Sequence, residues 1–246
     1  SMIIFVNIVS NLPSGIQSLI YYGEGGGAKS IAMLAAMLII LLLDIVFIVL
    51  LHGGERRLPV QYSSKMLGRH SVGGRSSFMP IKVSTAGVIS IIFAISLIQF
   101  PQTIGQFFST GETFAKVVSI LNLTSPVGAA IYIVLIFIFS YFYASIVINP
   151  NEIAENMKKN GGFIPGIRPG QPTSAYITRV VNRITFVGAV SYAIVAFVPI
   201  LLEWAFGFSV GFGGTTLIIV VGVCLDIVKS LESQMLMRHY KGFLNK

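Results

Sequence analysis

One motif near the end of the chain matches a catalytic pattern. Residues 207–211 read G-F-S-V-G, the form of the nucleophile elbow, in which a serine at a strand-to-helix turn works with a histidine. Here the motif lies in a short turn between apolar segments. The histidines fall in loops predicted on the opposite side of the membrane: His52, His70 and His239. We therefore interpret residues 207–211 as a turn.

The sequence also contains no motif for a metal site or a redox site. It contains no H-x-x-x-H pair, no Walker loop and no carboxylate cluster. Cys224 is the single cysteine, so one chain can form neither a disulfide nor a thiolate metal site. We predict no catalytic residues, no metal and no cofactor, and hence a protein that is not an enzyme.

Two acidic residues lie inside apolar segments, where a charge is costly. Asp44 and Asp226 would each face a bundle interior or a water path, because lipid does not solvate a carboxylate. No basic residue at the depth of Asp44 in the other segments offers it a partner. These acids leave open an ion- or proton-coupled secondary transporter.

Positive charge is concentrated in two polar loops, at residues 52–84 and 149–183. Topology alone would account for the number of cations. It does not account for their position on hairpins stiffened by proline and glycine, which favours contact with RNA backbone or an acidic protein surface. The candidate contact residues are Arg56, Arg57, Arg69 and Arg75 in the first loop, and Lys158, Lys159 and Arg168 in the second.

The elements that position these residues are membrane helices. The composition is 54% hydrophobic and 11% charged, and the apolar runs are about twenty residues long without alternation, as in spanning helices. We predict an all-α polytopic membrane helix bundle. Its full spans lie at about 31–51, 85–107, 126–148, 184–202 and 213–230, after a partial span within residues 1–12 that suggests a longer protein. Short strand-like pieces are expected at 58–62 and at Val83.

The distribution of cations predicts the orientation. Loops 52–84 and 149–183 and the C-terminal tail are separated by two spans each, so they share one side. They hold fifteen of the 17 Lys and Arg residues, since only Lys29 and Lys116 lie opposite. The positive-inside rule places that rich side in the cytoplasm.

The second loop has a strong local pattern. Asn149 can cap a helix, Pro150 suits its first position and Glu152 stands three residues after the cap. Gly161 and Gly162 stop that helix. Three prolines and two glycines then keep residues 163–172 extended, which places Arg168 at the tip of a stiff hairpin.

This loop resembles a known one. Residues 149–170 read N-P-x-E-x-A-E-N-x-K-x-x-G-x-F-I-P-G-I-R-P-G, which resembles the cytoplasmic loop between the eighth and ninth membrane helices of the SecY family of protein-conducting channels. Residues 55–62 with 79–83 resemble the loop between helices six and seven, and residues 212–219 the start of helix ten. The resemblance covers 1–246 as the C-terminal half of SecY.

The resemblance implies a pore and a gate. A ring of aliphatic side chains, which resist wetting and deform around varied substrates, would comprise Ile4, Ile92 and Ile219. The span at 85–107 resembles the seventh helix, one side of the lateral gate, with Ser90, Ser96, Gln99 and Phe100 as its residues. From sequence alone, the polar residues of this span fit a water-facing surface or ordinary helix packing equally well.

The family resemblance also implies a function and partners. The chain would be part of the channel that translocates unfolded secretory proteins across the bacterial plasma membrane and inserts membrane proteins into it. Its partners would be the lipid bilayer, the translocating polypeptide, SecE- and SecG-type small subunits, and the SecA motor or ribosomal RNA backbone. The isolated half is also expected to form a homodimer. The alternatives are the transporter using Asp44 and Asp226, and a membrane scaffold without transport.

Overall fold

The computed structural model describes most of the chain. The described residues are 10, 13, 27–62, 65–67, 70–72, 76–85, 87–107, 116, 118–206, 218–225, 227–228, 230–232 and 235. They divide into two compact units, one built from Ser1–His52, Leu97–Ile133 and Ala193–Lys246, the other from Gly53–Ser96 and Val134–Tyr192.

Helices dominate the described residues, which confirms the predicted fold class. They are α1 (Gly27–Gly53), α2 (Gly87–Phe107), α3 (Pro126–Val147), α4 (Pro150–Lys159) and α5 (Gln171–Phe206), and residues 218–225 are helical as well. Within the described ranges, 4 helices have the length and apolar composition to cross a membrane. Large apolar side chains such as Leu42, Leu43 and Leu50 are exposed along α1, as a lipid-facing surface requires.

Helices α1, α2 and α3 coincide with predicted spans, whereas α5 is longer than its span. We predicted a span at 184–202, but the helix already begins at Gln171. Arg179 and Arg183 interrupt the apolar run without interrupting the helix, because arginine has a high helix propensity. Of the predicted partial span in residues 1–12, only residue 10 is described. In the span predicted at 213–230, residues 213–217, 226 and 229 lie outside the described residues.

The second unit contains an antiparallel sheet. Strand β1 (Glu55–Tyr62) pairs with β4 (Ser76–Lys82), from Glu55 opposite Lys82 to Gln61 opposite Ser76. Strands β2 (Lys65–Leu67) and β3 (His70–Val72) form a separate pair. The expected strand at 58–62 is therefore present. The expectation at Val83 was wrong, because Val83–Thr85 form a 3-10 helix that turns the chain into α2.

One apolar cluster joins this sheet to the helices around it. The buried members come from the hairpin, from α4, from the segment after α4 and from α5: Leu58, Val60, Ile81, Met157, Ile164, Ile177, Val180, Val181 and Ile184. Alternation along β1 places Leu58 and Val60 in this core, while Arg57 and Pro59, on the opposite face of the strand, are exposed. The core thus fixes both basic loops to the first turns of α5.

Candidate functional site

Helix α4 has the ends that its sequence predicts. The side chain of Asn149 accepts a hydrogen bond from the backbone N–H of Glu152, and Pro150 occupies the first helical turn. At the other end, Gly161 has a φ of 69°, a conformation that favours glycine. Ala154 and Met157 are the buried residues of the helix, so Lys158 and Lys159 lie on its exposed side.

The chain after α4 joins the sheet and then turns. Strand β5 (Gly162–Phe163) pairs with the end of β1, Gln61 opposite Phe163 and Tyr62 opposite Gly162. Ile164 is buried, and its carbonyl accepts a hydrogen bond of 3.0 Å from the N–H of Ile167. These contacts fix the segment that leads to Arg168.

Side-chain hydrogen bonds from the start of α5 hold the turn at Arg168. Thr173, buried at the start of α5, donates a hydrogen bond of 2.9 Å from Oγ1 to the carbonyl of Arg168. Ser174 donates from Oγ to Oδ1 of Asn151, which ties α5 to α4. Gly170, which lies between Arg168 and Thr173, has a φ of 106°. The backbone of Arg168 is therefore held while its side chain remains exposed.

Together β1, β4, α4, β5 and residues 163–170 form what we call the basic platform. Its cations are exposed. Arg57 pairs with Glu55 at 2.7 Å, and Lys159 pairs with Glu155 at 2.9 Å. The hydrogen bond and the charge of Lys159 hold the pKa of Glu155 below its ordinary value. Predicted residues Arg69 and Arg75 lie outside the described residues.

The predicted gate residues separate into two environments along α2. Ser90 is fully buried and accepts a hydrogen bond of 3.2 Å from Oγ of Ser140 in α3. Phe93 stacks on Phe139 one turn further along, with ring centroids 5.7 Å apart. Ser90 is therefore packed against α3, and its assignment to the gate stays a prediction. The remaining three predicted gate residues are exposed: Ser96, Gln99 and Phe100.

The predicted ring and the membrane acids are described in part. Ile92 is partly buried in α2, Ile219 is buried in the helical segment 218–225, and Ile4 lies outside the described residues. Asp44 is buried in α1, and its Oδ2 has no hydrogen-bond partner among the described residues. Asp226 also lies outside them.

Sequence comparisons support the resemblance. The model of the SecY family matches residues 1–228. A protein translocase subunit SecY of Halalkalibacterium halodurans is 43% identical over 99% of this chain and 58% of its own length. The corresponding subunit of Thermotoga maritima is 39% identical over 100% and 55%. This chain therefore spans little more than half the length of these curated relatives.

Two solved structures share the fold. A structure of a protein-conducting channel superposes with a TM-score of 0.55 at 20% identity, covering 92% of this chain and 54% of that one. A structure from a study of the plug domain of the SecY protein gives a TM-score of 0.54 at 18% identity, covering 90% and 58%. At these identities the likeness concerns the fold alone.

Proposed function

The chain belongs to the SecY family, and from that membership we propose that it supplies the C-terminal half of a protein-conducting channel. The channel moves unfolded secretory proteins across the plasma membrane and inserts membrane proteins into it. The chain is passive in this process, and partners provide the driving energy. Its membrane helices and its bacterial relatives identify it as a bacterial membrane protein.

The observation that carries this proposal is the anchoring of Arg168. A charge that served topology alone would need no fixed backbone, yet the carbonyl of Arg168 is bonded to buried Thr173 and the preceding segment is paired to β1. A preorganised arginine loses less conformational freedom when it binds a carboxylate or phosphate. The geometry suits a recognition loop.

We assign partners to the basic platform by its charge. In the proposed orientation, loops 52–84 and 149–183 and the C-terminus face the cytoplasm. Arg56, Arg57, Lys158, Lys159 and Arg168 there contact an acidic surface of the SecA motor or the RNA backbone of the ribosome. SecE- and SecG-type subunits complete the membrane assembly.

The pore and gate assignments belong to the same proposal. Ile92 and Ile219 contribute to the ring that seals around a polypeptide, and Ser96, Gln99 and Phe100 line the gate side of α2. Cysteines at Ile92 or Ile219 are expected to crosslink to a chain arrested in transit. A cysteine at Val49, exposed on α1, serves as the control and is expected not to react.

The test of function compares two substitutions in cells whose secretion depends on this protein. Arg168→Glu reverses the charge of a surface residue and is expected to abolish motor-driven secretion, whereas Asp44→Asn is expected to have a mild effect. A secondary transporter would show the reverse, with solute flux lost on Asp44→Asn and the loops dispensable. Secretion that survives both changes would indicate a scaffold and contradict the channel proposal.

A further inference from the structure

A cavity of about 480 Å³ lies beside the basic platform, between the base of the hairpin and α5. Three arginines line it: Arg56 from β1 and Arg179 and Arg183 from α5. The two on α5 are one turn apart and therefore share a helix face. The volume falls in the range of roughly 300–1,000 Å³ that is typical of ligand sites.

The charge of this cavity is unbalanced. Within the described part of the chain, none of the three arginines has an ion pair. Glu55 also lines the cavity, but its carboxylate is bonded to Arg57, at 2.7 Å from both Nε and Nη2. Three arginines therefore line the cavity against one glutamate, and that glutamate is already paired with Arg57. An anion is the ligand that this arrangement fits.

The walls of the cavity are apolar. Val83, Val180, Ile184 and Val187 line it beside the arginines. A second cavity of about 560 Å³ shares Arg179, Arg183 and Val187 and adds Tyr141, Asn182 and Phe186. Phe186 and Val187 are 53% and 55% exposed, which provides an apolar surface next to the charges. A small inorganic anion would leave this surface uncovered.

The positions of Arg179 and Arg183 along α5 set their depth in the membrane. The apolar stretch Ile184–Leu202 has nineteen residues, or about 28 Å, close to the roughly 30 Å of a bilayer's hydrocarbon core. Arg183 directly precedes this stretch and Arg179 lies one turn earlier. Their side chains therefore reach the level of the phospholipid headgroups, with Phe186 and Val187 at the level of the first acyl carbons.

We propose that this three-arginine cavity binds the phosphate of an anionic phospholipid, whose acyl chains lie against Phe186 and Val187. Arg179 and Arg183 hold the phosphate from α5, and Arg56 closes on it from β1. The lipid thereby links the base of the hairpin to α5. The site shares Arg56 with the basic platform, but lipid binding there does not rest on the proposed channel function.

Native mass spectrometry of the purified chain, titrated with phosphatidylglycerol, tests the site. Arg179→Gln with Arg183→Gln is expected to weaken the first binding event about tenfold to thirtyfold, because each basic residue near a membrane surface contributes roughly 1 kcal/mol toward an anionic lipid. The matched control, Lys158→Gln with Arg168→Gln, removes the same charge outside the cavity and is expected to change binding less than about twofold.

A single substitution and two soluble competitors distinguish a lipid site from general attraction between opposite charges. Arg56→Gln alters an exposed strand residue outside the helix, so it keeps the test valid if the double variant fails to fold; a loss of about fivefold is expected. Neither glycerol 3-phosphate nor inorganic phosphate is expected to displace the lipid. Equal losses in the control pair, unchanged binding in Arg56→Gln, or displacement by the soluble phosphates would each overturn the proposal.

Discussion

At the scale of single residues, Thr173 is the anchor of the Arg168 turn. Thr173→Val keeps the shape of the buried side chain but leaves the carbonyl of Arg168 without its 2.9 Å hydrogen bond. We expect a loss of about 0.5–1.5 kcal/mol of stability, the usual net contribution of one intramolecular hydrogen bond. Amide hydrogen exchange in residues 163–170 is expected to accelerate.

The chain offers a matched control for this change. Thr178 also donates from Oγ1, at 2.9 Å, but to the carbonyl of Ser174, which lies one turn earlier in the same helix. That carbonyl keeps its helical partner when the hydroxyl is lost, so Thr178→Val is expected to be nearly neutral. Equal acceleration of exchange in both variants would show that Thr173 does not hold the turn.

The ion pair of α4 gives a pH-dependent prediction. Lys159 lowers the pKa of Glu155, chiefly through its hydrogen bond. Because the folded pKa lies below the unfolded one, the pair stabilises α4 at neutral pH, and this contribution is lost as pH falls through the folded pKa. Lys159→Gln is expected to return the carboxyl pKa toward its ordinary value in a carbon-13 NMR titration.

Lys158 provides the comparison for that titration. It acts on Glu155 by charge alone, and its effect is the smallest of the causes that act on this carboxyl. Lys158→Gln is therefore expected to raise the pKa of Glu155 by less than Lys159→Gln does. A larger effect from Lys158 would show that the hydrogen bond to Lys159 is not formed in solution.

At the scale of elements, a close approach between α5 and the 3-10 helix fixes the hairpin. A Cβ on Gly188 would lie 2.8 Å from the carbonyl oxygen of Val83, which is backbone and cannot move aside cheaply. Glycine to alanine inside a helix normally stabilises by about 1 kcal/mol. Gly188→Ala is instead expected to destabilise by about 1–3 kcal/mol, seen as a lower melting temperature.

Gly53 in α1 provides the control for the substitution at Gly188. A Cβ there would have nothing within 4 Å, so Gly53→Ala is expected to be neutral or slightly stabilising. The two substitutions make the same chemical change in two helices and differ in the space around them. A gain in stability at Gly188 would show that α5 does not pack on Val83 as described.

The elements also show what the sequence could predict. Apolar length predicted α1, α2 and α3, and the pattern around Asn149, Pro150 and Gly161 predicted both ends of α4, because these signals are local. The start of α5 was not predicted, since charged residues limit a membrane span without ending a helix. The span at 184–202 therefore covered only the apolar part of α5.

Tertiary partners in the candidate site escaped prediction for a related reason. The bond between Ser140 and Ser90, and the bond from Thr173 to the Arg168 carbonyl, join residues whose types allow many partners. The three-arginine cavity likewise combines positions far apart in sequence. Among the residues of the candidate site, only the exposed cations of the basic platform could be predicted from the sequence, because prolines and glycines lie close to them in the chain.

At the scale of the whole molecule, the exposed polar residues of α2 require a cover. Ser96 and Gln99 are exposed beside Phe93 and Phe100, and polar groups facing lipid are costly. The chain spans 58% of the Halalkalibacterium relative, so the remainder of such a protein is one cover. A second, antiparallel copy is another, because the halves of many transporters are related by an axis in the membrane plane.

The charge distribution decides where such a pair can form. In the predicted topology, fifteen of the 17 Lys and Arg residues lie on one side. An inverted copy would carry Arg56, Arg57 and Arg168 across the bilayer, against the positive-inside rule. Detergent imposes no such rule. We therefore expect antiparallel pairs of the isolated chain in detergent only, without polypeptide conduction, and one uniform orientation in cells.

Labelling of single cysteines in intact cells tests this orientation. With Cys224 replaced by serine, cysteines at Arg168 and at exposed Lys116 are modified with a membrane-impermeant maleimide. Only the cysteine at Lys116 is expected to react from outside, and the one at Arg168 is expected to react after the cells are opened. Equal external reactivity at both positions would demonstrate dual topology and contradict the uniform orientation.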